Sequence, residues 1–577
     1  MAQVGRAPLS GSAPACRRRA RALAVATLLC TAALQAQVAP SARQTQQTSA
    51  AVVPQIDART VSNLTLAFSY RSGARGAQQG APVIAGSTLF LLTPFPHALL
   101  AVDLNTQRLA WRYVPESDPL AGGLVCCERH DHGPVLASGR VYFTTLDGRV
   151  VAVDAQKGTL LWSERVADTT QGESLTSPPT LAGDRLVVGS SGDDFGARGW
   201  IAQLDAATGK LLWKYFSTGP DEDVGIQRGF TPVDTADRTS DAGSSTWSSQ
   251  GWQHGGGSVS APVLYDGALG MLIHATGPPA PWNPDQRSGR NRWTSGLFAR
   301  DAQSGRARWF TALHSHNAYA WVNDTANIAV DREWQGVTRP LLIHPDADGR
   351  IYVLDRRSGM ILAADPLIPN PPPRGVPRTQ VQIRGVCPAW IGAVAGDPAL
   401  SAAGIVYVPL SRLCMDIEPR DANYVQGTPF IGANVRVVAQ PGRSRGGLIA
   451  WDPVARRALW RIDEAFPLAG DVLATPGGVV FYGTLEGFLK AVDASNGRLL
   501  WQFKTHGAVT AKPVTFRGND GHAYLAVVSG GGGPYGLARE YWIDHRDVTA
   551  VRGLAAALTD VPIPADPHGT LYVFRLP

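Results

Sequence analysis

The sequence predicts an all-β fold, an eight-bladed β-propeller, on three observations. A strand–turn–strand unit recurs along the chain. The 577 residues include 62 glycines, 42 prolines and 16 tryptophans, a turn-rich composition that disfavours long helices. No linker divides residues 55–577, so the whole span reads as one closed domain.

The repeat is clearest at Ala152–Trp162 (Ala-Val-Asp-Ala-Gln-Lys-Gly-Thr-Leu-Leu-Trp) and is echoed at Ala202–Trp213 and Ala491–Trp501. Weaker copies end at Trp111, Trp309 and Trp460, and one from Asp355 to Leu362 lacks the tryptophan. The first keeps only its end, Leu64–Tyr70, with Phe68 at the tryptophan position. In each unit an alternating apolar strand ends at Asp, which opens a tight turn. The Gly four residues on supplies a positive φ, and a second strand ends in a large aromatic. Upstream lies another hairpin, as in Gly139–Gly148. Four short strands repeating every ~40–50 residues are propeller blades, and the aromatic is placed to pack between neighbouring blades. The final strand, Thr570–Leu576, is predicted to pair with Leu64–Tyr70 and close the ring. Two long spacings hold inserted loops, Gly219–Gly256 and the proline-rich Asp365–Arg384.

Residues 1–36 read as an export signal. Arg17, Arg18, Arg19 and Arg21 precede an apolar run from Ala22 to Leu34, followed by small residues through Ala36. That run is too short to anchor in a bilayer, and no other stretch is long and apolar enough to span one. The expected location is periplasmic or secreted, an oxidising space. Removing the leader leaves Cys126, Cys127, Cys387 and Cys414, which allow three pairings, and the one selected is Cys126–Cys127 with Cys387–Cys414. An adjacent pair closes a strained eight-membered ring; the alternative is two buried thiols. The formal charge of +6 includes the basic leader, and the remainder has no basic tract interleaved with aromatics, which argues against nucleic-acid binding. No Cys-x-x-Cys-His occurs, so no haem is attached covalently.

Several segments carry a resemblance: Cys126–Gly133 (Cys-Cys-Glu-Arg-His-Asp-His-Gly), Gly189–Gly199, Trp252–Gly257, Ala280–Asn283, Cys414–Asp416, Ala474–Thr484 and Gly530–Gly533. In this order, and with the repeat, the chain resembles the eight-bladed quinoprotein alcohol dehydrogenases, which use pyrroloquinoline quinone (PQQ) and a bound cation. The resemblance implies oxidation of an alcohol or other hydroxyl compound, with electrons passed to an external, soluble cytochrome c. It implies that the Cys126–Cys127 ring lies against one face of the quinone. Thr176, Ser191, Gly192 and Asp193 would be cofactor contacts. Asp194 would be a ligand to calcium or a lanthanide, one methylene shorter than the family's glutamate.

Other positions depart from the family pattern. The stacking tryptophan falls on Ser260, the cation-binding asparagine on Pro278, the catalytic aspartate on Ala320 and a basic cofactor contact on Ala347. A pocket arginine is His132, an Asn-Trp pair is Ala395-Gly396, and a later tryptophan is Ala469. Asp324, four residues beyond Ala320, is the candidate substitute base; Asp346 and Asp348 flank Ala347. These losses predict a wider, less charged pocket. They leave open a catalytically degenerate propeller that binds a ligand or partner. A third reading is a different metal held by His130 and His132, or by His314 and His316.

Overall fold

The computed structural model describes residues 56–577 except 125–132, 228–229, 231, 234–240, 373–381, 440–443, 537–543, 545, 548–549 and 563–565. The leader at 1–36, Cys126, Cys127, His130 and His132 therefore lie outside the described residues.

Among the described residues there are eight four-stranded antiparallel sheets and one of three strands. In chain order the blades span 83–113, 135–165, 180–216, 264–312, 328–366, 399–464, 473–504 and 514–575. The eighth takes its outer strand from the other end of the chain. Thr65–Arg75 pairs with His568–Arg575, with Tyr70 opposite Leu571. The predicted closure is thus present.

Strand alternation builds the ring. In the second blade Val141 and Phe143 pack on Leu99 and Ala101 of the first, whereas Tyr142 faces Leu186 and Val188 of the third. Separate apolar cores of this kind join the third blade to the fourth, and so on round to the eighth. A last core joins Val528 and Leu571 of the eighth blade to Leu89 and Leu91 of the first. Each fully buried aliphatic contributes ~1.5–3 kcal/mol, so stability is spread over eight seams.

The repeat motif performs two tasks at once. Asp154 Oδ1 accepts the amides of Gln156 and Lys157 at 2.9 and 2.7 Å, and Gly158 adopts φ +69°. The indole of Trp111, from the preceding blade, lies on that glycine; an added Cβ would sit 2.6 Å from the ring. Trp162 covers Gly209 in the same way, Trp213 covers Gly305, Trp309 covers Gly359 and Trp460 covers Gly497. Glycine is needed there for its backbone conformation and for the closeness of the indole.

The three-stranded sheet, Ile383–Val386, Leu413–Pro419 and Ala433–Ala439, is an insertion in the sixth blade region. The predicted Cys387–Cys414 disulfide ties its first two strands. A short helix, Leu554–Ala557, packs against it, and both share an apolar core with Trp282, Tyr319, Trp321 and Trp390. This insertion forms a cap. Its far end reaches the third and fourth blade regions, where the Trp282 amide donates to Ile431 O (2.5 Å) and Tyr424 stacks on His254. No helix among the described residues is long and apolar enough to cross a membrane.

Candidate active site

A cavity of about 240 Å³ lies where the segments entering the innermost strands converge. Ser174 and Thr176 lead into the third blade, Ser258 and Ser260 into the fourth, and Asn323–Thr325 into the fifth. Trp390 and Asp397 lead into the sixth, Asp471 into the seventh and Thr510 into the eighth. Because every blade starts at the ring axis, residues distant in sequence meet there.

One wall is the loop between the second and third strands of the third blade. Gly192 has φ +131°, and a Cβ on it would fall 2.1 Å from Gly172 O. That tight approach lets Ser191 exchange backbone hydrogen bonds with Ser174 and sets its hydroxyl against Thr176 Oγ1. Asp193 and Asp194 follow in a single turn. The Asp193 amide donates to Ser258 Oγ (3.3 Å), and burial together with the adjoining Asp194 charge pushes its carboxyl up to about 7. Asp194 Oδ2 is 2.6 Å from Arg552 Nη2. The structure thus brings Thr176, Ser191, Gly192, Asp193, Asp194 and Asp324 together on one cavity.

The opposite wall carries two carboxyl groups that the expectation of a less charged pocket did not include. Asp397 and Asp471 line it as a pair, the Asp397 amide donating to Asp471 Oδ1 and Asp397 Oδ1 accepting the Ala326 amide, each at 2.8 Å. Burial and the Asp397 charge raise Asp471 to about 7, and burial raises Asp397, with Lys512 opposing in both. Both carboxyls therefore ionise less readily than free ones. Asn323, 3% exposed, also lines it, with neither side-chain amide atom hydrogen-bonded.

Asp397, Asp471, Asn323 and Arg552 were not read from the sequence. The first two had a signal, since they stand two residues beyond Ala395 and Ala469. Arg552 had none, coming from a segment outside every repeat unit. Ala320 and Ala347 are buried in the cap core, and neither lines the cavity.

The histidine-metal reading meets different partners. His314 Nε2 lies 2.6 Å from Asp346 Oδ1, and His344 Nε2 lies 3.2 Å from Asp346 Oδ2. Asp348 is bound by Arg350 (2.7 Å) and Tyr352 Oη (2.9 Å). His314, Asp346 and Asp348 are close enough to ligate one ion. Their atoms are engaged with one another instead. Burial opposes ionisation of Asp346, but the His314 and His344 imidazoles override it and hold the carboxyl well below the usual range. His316 turns away to Asn291 (3.0 Å). The two histidines do not form one site.

A family profile described as the PQQ glucose/ethanol/alcohol dehydrogenase β-propeller domain matches residues 41–380, and one described as outer membrane protein assembly factor BamB matches 444–538. The chain is 34% identical to a lanthanide-dependent methanol dehydrogenase of Methylacidiphilum fumariolicum, over 90% of this chain and 89% of that protein. It is 31% identical to methanol dehydrogenase [cytochrome c] subunit 1 of Paracoccus denitrificans, over 90% and 87%. A europium-containing methanol dehydrogenase structure superposes with a TM-score of 0.87 at 34% identity, covering 90% of this chain and 95% of that one. Family membership indicates PQQ with a calcium or lanthanide ion as cofactors. The chain belongs to the PQQ-dependent quinoprotein alcohol dehydrogenases.

Proposed function

We propose that this chain is an exported oxidoreductase that oxidises a small-molecule alcohol with PQQ and passes the electrons to a soluble cytochrome c. The similarity around the whole ring carries this reading, since relatives aligned over nine-tenths of the chain are methanol dehydrogenases. The basic, apolar leader and the Cys387–Cys414 disulfide support a periplasmic or secreted location.

The donor set fits the quinone. Ser174, Thr176 and Ser191 offer hydroxyls, Asn323 an unpartnered amide and Arg552 a cation, all suited to carbonyl and carboxylate oxygens. With Gly192 and Asp193 they would hold the polar rim, and Cys126–Cys127 would cover one face. When bound, the quinone supplies the two-electron acceptor. Asp324, exposed at the cavity, is the carboxylate we assign as general base in place of the position occupied by Ala320.

The donor set does not fit the ion. A hard cation takes ~6–8 oxygens. Here Asp194 is engaged by Arg552, and Pro278 provides no side-chain oxygen. No step of the reaction is assigned to a metal.

Burial of Ala320 favours a second reading, ligand binding without turnover. Titrating the purified protein with PQQ and following absorbance and dye reduction with methanol and ethanol separates the two. Binding with dye reduction is expected. Binding without reduction selects the second reading, and absence of binding at micromolar quinone rejects the dehydrogenase reading.

A further inference from the structure

We infer that the guanidinium of Arg552 has replaced the metal ion in this cavity, so that the site binds its ligand without calcium or a lanthanide. The inference rests on the reading of the cavity as the cofactor site.

Asp194 is the carboxylate that stands at the family's cation position, and Arg552 is bonded directly to it at 2.6 Å. Both side chains are largely shielded, at 12% and 19% exposure for Arg552 and Asp194. The pair is therefore a desolvated contact rather than a passing surface bridge.

The arginine is held from several sides. Its guanidinium carbon lies 5.4 Å from the Trp282 ring centre and 5.6 Å from that of Trp390. Trp390 Nε1 donates to Arg552 O (3.1 Å), and the Val437 amide donates to Gly553 O (3.2 Å). These contacts fix both its backbone and its charged end. The backbone also departs from ordinary conformations. Val551, Arg552 and Gly553 have φ of +51°, +52° and +84° in succession. Two consecutive non-glycine residues in the left-handed region are uncommon, and such strain persists where the surrounding structure imposes it. Here the cap imposes it and the result is a cation aimed at Asp194.

A further change agrees with that exchange. An asparagine at position 278 would have supplied an oxygen to an ion, and the chain has Pro278 there. A fixed guanidinium donates hydrogen bonds to a carbonyl or carboxylate oxygen without needing that ligand.

Terbium luminescence sensitised by Trp282 and Trp390 tests the exchange without the quinone. Wild type should give no saturable emission at micromolar terbium, and Arg552→Ala should bind terbium at least ~10-fold more tightly by releasing Asp194. Arg552→Gln, with unfolding followed by circular dichroism, gives the same reading if the alanine variant fails to fold. In parallel, PQQ affinity of the wild type should agree within about 2-fold with and without EDTA and fall ~10–100-fold in Arg552→Gln. Saturable terbium binding by wild type that Asp194→Asn abolishes overturns the inference. So does quinone binding that EDTA removes and calcium or lanthanum restores. If the quinone fails to bind under every condition, the proposed function falls, while the terbium result still decides the inference.

Discussion

Replacing Asp471 by asparagine removes a titratable group yet keeps an oxygen for the Asp397 amide. In the folded chain burial, then the Asp397 charge, lifts this carboxyl from 3.8 to about 7. The folded state thus binds the proton more tightly than the unfolded state. The resulting stabilisation is fully present below pH 3.8, is lost as pH rises towards 7, and is gone above that. At ~1.4 kcal/mol per pH unit the interval corresponds to about 4 kcal/mol; solvent screening at a cavity wall reduces this to about 2–4 kcal/mol. Asparagine mimics the protonated acid, so the variant should differ from wild type least near pH 4.5 and exceed it by that amount near pH 7.5. Urea unfolding of both proteins at pH 4.5, 6 and 7.5 measures the difference. A stability difference that does not change with pH would refute a proton-holding Asp471.

Asp324→Asn should lower the rate of alcohol oxidation by ~10²–10⁴-fold while leaving PQQ affinity unchanged, as read by dye reduction and by quinone titration. Gly209→Val should destabilise the fold by on the order of 2–4 kcal/mol in chemical denaturation, because its φ is +77° and Trp162 leaves a Cβ only 2.6 Å. Removing the Cys387–Cys414 link, which closes a separation of 27 residues, should cost about 3–4 kcal/mol by the loop-entropy relation, measured by urea unfolding of Cys387→Ser/Cys414→Ser against wild type.

Much of the ring was legible because its code is local. Asp154, Gly158 and Trp162 specify a turn and a seam within one unit, and the same spacing reappears at Asp205, Gly209 and Trp213. The site is legible only in part because its named residues come from six blade entrances. Thr176, Ser191 and Asp194 fall in one stretch that matches the family pattern, and they do meet at the cavity. Asp397 and Asp471 belong to different units, and only folding makes them a pair. Asp397 and Asp471 stand two residues beyond Ala395 and Ala469, where side chains are lost, so position-by-position comparison underestimates how polar the cavity is. Arg552 enters from the cap, where neither strand alternation nor the repeat predicts a partner.

The central claim is that the axial cavity is a quinone site served by a guanidinium in place of a metal ion. A crystal structure of the protein grown with PQQ and a lanthanide, with anomalous data at the lanthanide edge, addresses it directly. The predicted result is a quinone between Cys126–Cys127 and Ser260, with Arg552 still on Asp194 and no anomalous peak there. A lanthanide bound to Asp194 with Arg552 displaced, or a cavity without quinone, would contradict it.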